Sequence, residues 1–176
     1  MSRYSSFHGE VYHGTETESL DRLVNSMQNG SPLLMSTHGA AGPGVYVTDN
    51  EDEARQYGDV ILRGHAYAQK VLPGHVWSNN RALSRAGNRH EHAERVRNLL
   101  TSRGFDAVED PTVRGGLALL SNQQFSLESV FDPRVGREVH PFDYLTTGPG
   151  KRPRRRGGQP AAPTNEAVWS PQTFGK

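Results

Sequence analysis

The first periodic pattern in the chain is a stripe of apolar residues at helical spacing. The stripe, at positions i, i+3, i+4 and i+7, consists of Leu20, Leu23, Val24 and Met27. Thr15, with Glu18 three residues later, is typical of a capping box, and Gly30 and Pro32 follow the stripe. The pattern predicts one amphipathic helix directly after a short strand at Val11-Tyr12.

Short apolar runs and one alternating run predict the other strands. These strands are Val45–Thr48, Val60–Leu72, Phe105–Val108, Leu117–Leu120 and Phe125–Phe131. In the longest of them, apolar residues at 60, 62, 66 and 68 share one side, and Arg63, His65 and Gln69 face the other. Such alternation is typical of a strand with one buried face.

Two further helices are predicted from their end signals. Asn50 and Glu53 can cap a helix that runs to about Tyr57, and Glu91–Ser102 carries its apolar residues on one face. Residues 73–87 show no period, so we expect an irregular segment there. Because short strands and helices are mixed without regular strand–helix–strand alternation, the pattern predicts an α+β fold.

The composition changes after about Tyr144, where Gly, Pro, Arg, Thr and Ser dominate and no apolar period survives. We therefore expect one domain over residues 1–145 and a basic, Pro/Gly-rich, mostly disordered tail over residues 146–176. The tail segment Lys151–Arg156 holds five basic residues and no acidic one, in a chain whose formal net charge is only +1. Two interpretations stay open for it: contact with nucleic acid phosphates, or a solvated linker.

Several classes of protein are disfavoured by what the sequence lacks. The absence of cysteine excludes disulfides and thiolate sites. The polar start has no apolar segment of a secretion signal, and no run approaches the ~20 residues that span a bilayer. His90 and His92 flank Glu91 without further ligands at matching spacing, so no metal is expected. We expect a cytoplasmic protein without membrane contact, or one that is delivered into a host or target cell.

Two short segments carry candidate chemistry. A strand that ends in His13-Gly14-Thr15 places an imidazole, a bare backbone and a hydroxyl at a helix start, where a ligand can approach the main chain closely. The rings of Tyr46 and Tyr57 could flank one flat, cationic ligand such as a pyridinium. The alternatives are a capped helix with an incidental histidine, and two ordinary core aromatics.

Taken together, these segments resemble the ADP-ribosyltransferase fold. The resemblance rests on Val11-Tyr12-His13-Gly14-Thr15, Gly44-Val45-Tyr46-Val47-Thr48, Glu53-Ala54-Arg55-Gln56-Tyr57-Gly58, and the later stretches 104–108 and 117–130. It is nearest to the His–Tyr branch, which includes poly(ADP-ribose) polymerases, diphtheria-type toxins and bacterial or phage toxin domains. It runs from Val11 to Val130, with residues 73–103 unconstrained. The fold that it implies has split mixed or antiparallel β-sheets with short flanking helices.

The resemblance also implies a role for each matching residue, with NAD as the substrate. His13 would bind a ribose hydroxyl, and the backbone of Gly14 would pair with the nicotinamide carboxamide, with Thr15 beside them. Tyr46 and Tyr57 would enclose the nicotinamide ring. The activity implied is transfer of ADP-ribose from NAD to a protein or nucleic acid acceptor, with release of nicotinamide.

One position departs from the family pattern. Gly116 stands where the family has its catalytic glutamate, and glycine has no side chain to hold a ribose hydroxyl. Glu109, in the loop before this position, is our first candidate for the catalytic acid beside His13 and Tyr46. Asp110 and Gln124 are alternatives to it. The other hypotheses are a module that binds NAD or ADP-ribose without efficient transfer, and a nucleic-acid-associated protein that acts through its basic tail.

Overall fold

The computed structural model describes residues 4–28, 36, 39–87 and 92–147. The eight strands in this part of the chain are β1 (Phe7–Thr15), β2 (Val45–Thr48), β3 (Val60–Ala68), β4 (Val71–Leu72), β5 (Ala107–Glu109), β6 (Gly116–Leu119), β7 (Phe125–Asp132) and β8 (Arg137–Val139). Its six α-helices are α1 (Thr17–Gln28), α2 (Glu51–Arg55), α3 (Gly74–Asn79), α4 (Arg81–Gly87), α5 (Ala93–Ser102) and α6 (Pro141–Thr147), and a 3-10 turn spans Asn122–Gln124. The basic segment 151–156, Gly30 and Pro32 lie outside the described residues.

The strands form one mixed sheet in the order β4-β5-β6-β2-β1-β3-β7-β8. Among the strands of the described residues, only β4 and β5 pair in parallel, and helices and mixed strands together confirm the expectation of an α+β fold. The prediction of separate, split sheets is wrong. One registered pair, Tyr12 with Thr48, joins β1 to β2, so that all eight strands belong to one sheet. By contrast, β1 and β3 are in register over nine residues each. The sheet therefore consists of two four-stranded halves with a narrow junction.

Each face of the sheet carries its own apolar core. On the first face, α1 and α6 cover side chains from strands of both halves; this core includes Val11, Leu20, Leu62, Leu119, Phe125 and Tyr144. On the second face, α3 and α5 cover the half formed by β4, β5, β6 and β2; this core includes Trp77, Leu100, Val108 and Ala118. No helix in the described part of the chain is long and apolar enough to cross a membrane.

The predicted stripe of α1 is confirmed where the structure describes it, because Leu20, Leu23 and Val24 are buried. The predicted N-cap at Thr15 is wrong. Thr15 is the last residue of β1 and pairs with Val60, so the helix begins two residues later, at Thr17. Thr15 takes part in strand pairing and therefore does not cap α1, although its spacing to Glu18 is typical of a capping box.

The predicted strand Val60–Leu72 is two strands. Between them, the carboxylate of Asp106 accepts backbone N–H bonds from Gln69 (2.8 Å) and Lys70 (3.1 Å), which holds a turn. The chain then leaves the β1-β3-β7-β8 half, and β4 pairs with β5 at the opposite edge of the sheet. The break depends on a carboxylate 36 and 37 residues away in sequence, which the alternating pattern cannot reveal.

The segment 73–87, expected to be irregular, folds as α3 and α4. Trp77 is buried in α3, and its indole N–H donates to the carbonyl of Ala40 at 2.8 Å. A single Trp side chain buries a large apolar area, so Trp77 can hold α3 on the sheet without the apolar stripe from which a helix is usually predicted.

A buried ion pair ties α6 and α1 to the turn between β7 and β8. Asp132 is fully buried and accepts hydrogen bonds from Arg134 (3.0 Å) and from the hydroxyl of Tyr144 (3.0 Å). Arg134 also bonds Asp21 of α1 at 3.0 Å. Burial alone would raise the pKa of Asp132, but the bonds from Arg134 and Tyr144 lower it overall.

Candidate functional site

A cavity of about 440 Å³ lies at the narrow junction between the two halves of the sheet. Its lining comes from β1, β2, α2, residue 36 and the segments 39–44 and 110–116. It includes Tyr12, His13, Gly14, Tyr46, Thr48, Tyr57, Asp110, Thr112 and Gly116. The volume falls within the usual range of small-molecule sites. β1 and β2 meet in one registered pair only, so the sheet opens at this point.

His13 reaches across the junction from β1 to β2. Its Nδ1 lies 2.5 Å from the carbonyl oxygen of Tyr46. A carbonyl can only accept, so Nδ1 carries the proton and donates. Burial lowers the pKa of His13, and the bond to Tyr46 offsets this only in part. The ring is therefore neutral at pH 7 and has Nε2 as a hydrogen-bond acceptor for a ligand hydroxyl.

Tyr46 forms a fixed wall of the cavity. Its hydroxyl donates to the carbonyl of Gly42 (2.6 Å) and accepts from the backbone N–H of Ala41 (3.0 Å). Burial raises the pKa of Tyr46 far above its ordinary value, so the phenol stays neutral. Gly42 has φ +81° and packs against the ring of Trp77. The loop that bonds the hydroxyl of Tyr46 is therefore also fixed by its contact with α3. Tyr46 can therefore offer a flat surface but no mobile proton.

Gly14 lets α2 pack directly on β1. A Cβ at Gly14 would lie 1.8 Å from the carbonyl oxygen of Ala54. α2 starts where predicted, because the side chain of Asn50 accepts the N–H of Asp52 at 2.9 Å. This packing brings Tyr57, just after α2, to the cavity, where its ring is 57% exposed. Tyr57 is thus a solvent-exposed part of the cavity lining.

Asp110 supplies a buried carboxylate to the cavity. It is only 7% exposed, and its Oδ1 accepts the backbone N–H of Thr112 (2.8 Å) and the Thr112 hydroxyl (2.6 Å). Oδ2 has no hydrogen-bond partner within the described residues. Burial is the main cause that raises the pKa of Tyr57 and of Tyr46, and the charge of Asp110 raises both further. Asp110 is therefore close to both aromatic walls.

Gly116 begins β6 beside Asp110. A Cβ at Gly116 would lie 2.8 Å from the Cβ of Val113 and 3.0 Å from the Cβ of Asp110. A longer side chain at this position would need its neighbours to move. The space in which the resemblance expects a glutamate is thus occupied by the chain of residues 110–113.

The structure does not bring every predicted residue to the cavity. Glu109 ends β5, and its Oε2 accepts the N–H of Gly74 at 3.0 Å, away from the lining. Asp110 follows Glu109 directly, and its N–H still bonds the carbonyl of Gly116 at 2.9 Å. Neighbouring residues in such extended pairing point to opposite faces, which is why Asp110 reaches the site and Glu109 does not. Gln124 bonds Ser121 and Tyr67, and Thr15 ends β1; neither lines the cavity.

Asp110 was predicted only as an alternative to Glu109, and the contribution of Thr112 was not predicted. The signal was Asp-Pro-Thr, because an aspartate before such a turn commonly bonds the backbone two residues later. Within the described residues, no group of three or more His, Asp or Glu side chains is arranged to hold a metal ion.

No protein family matches the chain, and no curated protein matches it. Among solved structures, a crystal structure of an anti-CRISPR protein is similar at a TM-score of 0.37 and 14% identity. The alignment covers 78% of this chain and 100% of that one.

Proposed function

We propose that the cavity binds NAD and that the protein transfers ADP-ribose from NAD to a macromolecular acceptor, with release of nicotinamide. One observation carries the proposal. His13, Gly14, Tyr46 and Tyr57, which come from three separate segments, line one cavity together with a buried carboxylate. The narrow β1–β2 junction supports it further, because a single registered pair leaves room for a ligand between the two strands.

The chemistry of the lining suits the nicotinamide end of NAD. The unprotonated Nε2 of His13 can accept a ribose hydroxyl, and the rings of Tyr46 and Tyr57 can flank the nicotinamide. A pyridinium is flat and cationic, so aromatic walls attract it by stacking and by cation–π interaction. The β1 edge that faces β2 has no registered pair after Tyr12, which leaves backbone groups near Gly14 for a carboxamide.

Asp110 replaces Glu109 as the proposed catalytic acid. In the reaction, the bond between the ribose C1′ and the nicotinamide nitrogen breaks, and its electron pair leaves with neutral nicotinamide. Positive charge develops on the ribose, and a nucleophile then attacks C1′ and loses its proton. Oδ2 of Asp110 could hold a ribose hydroxyl and stabilise that charge, as preorganised electrostatics does in other enzymes.

A binding module is the second candidate function, and Gly116 favours it. The resemblance expects a glutamate at this position, and the packing around Gly116 excludes one without rearrangement. If Asp110 does not take over the role, the cavity would bind NAD or ADP-ribose with little turnover. Calorimetry with NAD beside an assay for free nicotinamide separates the two, because binding without release favours the module.

The test of transfer uses labelled NAD and a cell lysate. We expect a labelled macromolecule with the wild type and none with His13→Ala or Tyr46→Ala. His75→Ala is the matched control, since His75 is exposed on α3 and does not line the cavity. All variants are checked for folding by circular dichroism. Full labelling by folded His13→Ala and Tyr46→Ala proteins would refute the proposal.

A further inference from the structure

One face of the β1-β3-β7-β8 half of the sheet is left open by the described helices. α1 and α6 pack on the opposite face, α3 and α5 cover the other half, and α2 reaches only the end near Gly14. The outward positions carry polar and aromatic side chains. We call this surface the open face; it comprises His8, Glu10, His65, Tyr67, Glu128 and Glu138.

Contacts across the strands hold these side chains in place. His65 Nδ1 lies 2.7 Å from the carboxylate of Glu128. The rings of His8 and Tyr67 meet edge to face, with centroids 5.8 Å apart. Gln69 donates to the hydroxyl of Tyr67 at 2.8 Å. Such fixed side chains lose little conformational entropy when a partner binds.

The charge of the open face is negative. Glu10, Glu128 and Glu138 share this side with Arg63, whose guanidinium lies 3.6 Å from Glu138. Arg55 of α2 lies over the ring of Phe131, but its charge is paired with Glu51. Carboxylates repel the phosphates of a nucleic acid and attract lysine and arginine. Tyr67 is 50% exposed, so its ring is available for stacking by a guanidinium.

The open face is continuous with the cavity. Tyr12 lies two residues after Glu10 on the same side of β1, its hydroxyl donates to Glu10, and its ring lines the cavity. His8 to Tyr12 spans four residue steps, or roughly 14 Å of strand. An extended segment of four or five residues that lay along β1 would therefore reach the cavity.

We propose that the open face binds an extended, arginine- or lysine-rich protein segment and directs it to the cavity. The acceptor is then a protein and not a nucleic acid. Its role as acceptor rests on the proposed transfer of ADP-ribose, whereas the binding itself does not.

The experiment measures binding of two fluorescent probes by anisotropy at 0.15 M salt. One probe is a ten-residue peptide with four arginines among glycine and serine, and the other is a ten-nucleotide single-stranded RNA. The background is the full chain with the five cations of its basic segment 151–156 neutralised, which keeps this segment from binding the open face or the RNA probe. These changes are Lys151→Gln, Arg152→Gln, Arg154→Gln, Arg155→Gln and Arg156→Gln.

On this background, Glu10→Gln, Glu128→Gln and Glu138→Gln are combined, and exposed Glu94→Gln on α5 is the control. We expect the peptide to bind, its affinity to fall about tenfold or more in the triple variant, and Glu94→Gln to change nothing. Peptide binding that is absent or unaffected by the triple substitution would overturn the proposal. RNA that binds as tightly as the peptide would also overturn it.

Free nicotinamide, measured in the same samples without peptide, separates this inference from the proposed function. The double variant Glu128→Gln/Glu138→Gln should release nicotinamide at the wild-type rate, because neither glutamate lines the cavity, whereas Glu10 bonds the cavity residue Tyr12. If no variant releases nicotinamide, the proposed transfer fails while the peptide result still decides the open face.

Discussion

Asp110→Asn is the substitution that separates the reaction from the fold. The asparagine carbonyl can still accept both bonds from Thr112, so we expect the stability to change by less than about 1 kcal/mol. What disappears is the negative charge at Oδ2. For a unit charge roughly 5 Å from the developing positive charge, at an effective dielectric constant of about 20, the loss is about 3 kcal/mol. That corresponds to a fall in rate of about two hundredfold.

The assay is nicotinamide release at saturating NAD, beside calorimetric NAD affinity and thermal unfolding of the same samples. Glu109→Gln is the matched control, because it removes a neighbouring carboxylate that faces away from the cavity. We expect a loss of about a hundredfold or more in Asp110→Asn and wild-type turnover in Glu109→Gln. The opposite ranking, in proteins of equal stability, would refute the assignment of Asp110 and return the role to Glu109.

Three further predictions follow from single contacts. Gly14→Ala should destabilise the fold by about 1–3 kcal/mol and weaken NAD binding, because the new Cβ would clash with the carbonyl of Ala54. Thermal unfolding and NAD titration measure the two effects, and Gly9→Ala, whose Cβ would make only ordinary contacts, should show neither. Asp132→Asn should lower the free energy of unfolding, measured in urea, by about 3–5 kcal/mol. Because the pKa of Asp132 is lowered in the folded state, the stability of the wild type should fall as the pH drops below about 3.9. A wild type whose stability depends on pH in the same way as that of the variant would contradict this. NAD affinity should be constant from pH 8 to 6.5 and decline only below, since the pKa of His13 is lowered and protonation converts Nε2 into a donor; a decline centred above pH 6.5 would contradict it.

Local patterns in the sequence predicted the elements that depend on local spacing. The stripe of α1, the cap at Asn50 and the short strand β2 follow from neighbours within one turn or one pleat. The break after Ala68 depends on Asp106, and the fold of residues 73–87 depends on Trp77 packing under a distant loop. Such contacts join residues that are far apart in sequence, so local patterns in a single sequence do not predict them.

The candidate site was predictable in part for the same reason. His13, Gly14, Tyr46 and Tyr57 belong to short motifs with fixed spacing, and they do line one cavity. The choice between Glu109 and Asp110 depends on where β5 ends and which face each residue takes. A shift of one residue reverses the two, and strand ends are the part of a fold that sequence patterns define least well.

The most direct test of the NAD site is a titration of NAD followed by amide NMR shifts of the ¹⁵N-labelled full chain. We predict saturable shifts that cluster at Gly14, Tyr46, Tyr57 and Asp110, with none at Glu94 on the remote helix α5. His13→Ala should abolish them at the same NAD concentrations. Shifts that never saturate at millimolar NAD, or that map away from the β1–β2 junction, would contradict a nicotinamide site in this cavity.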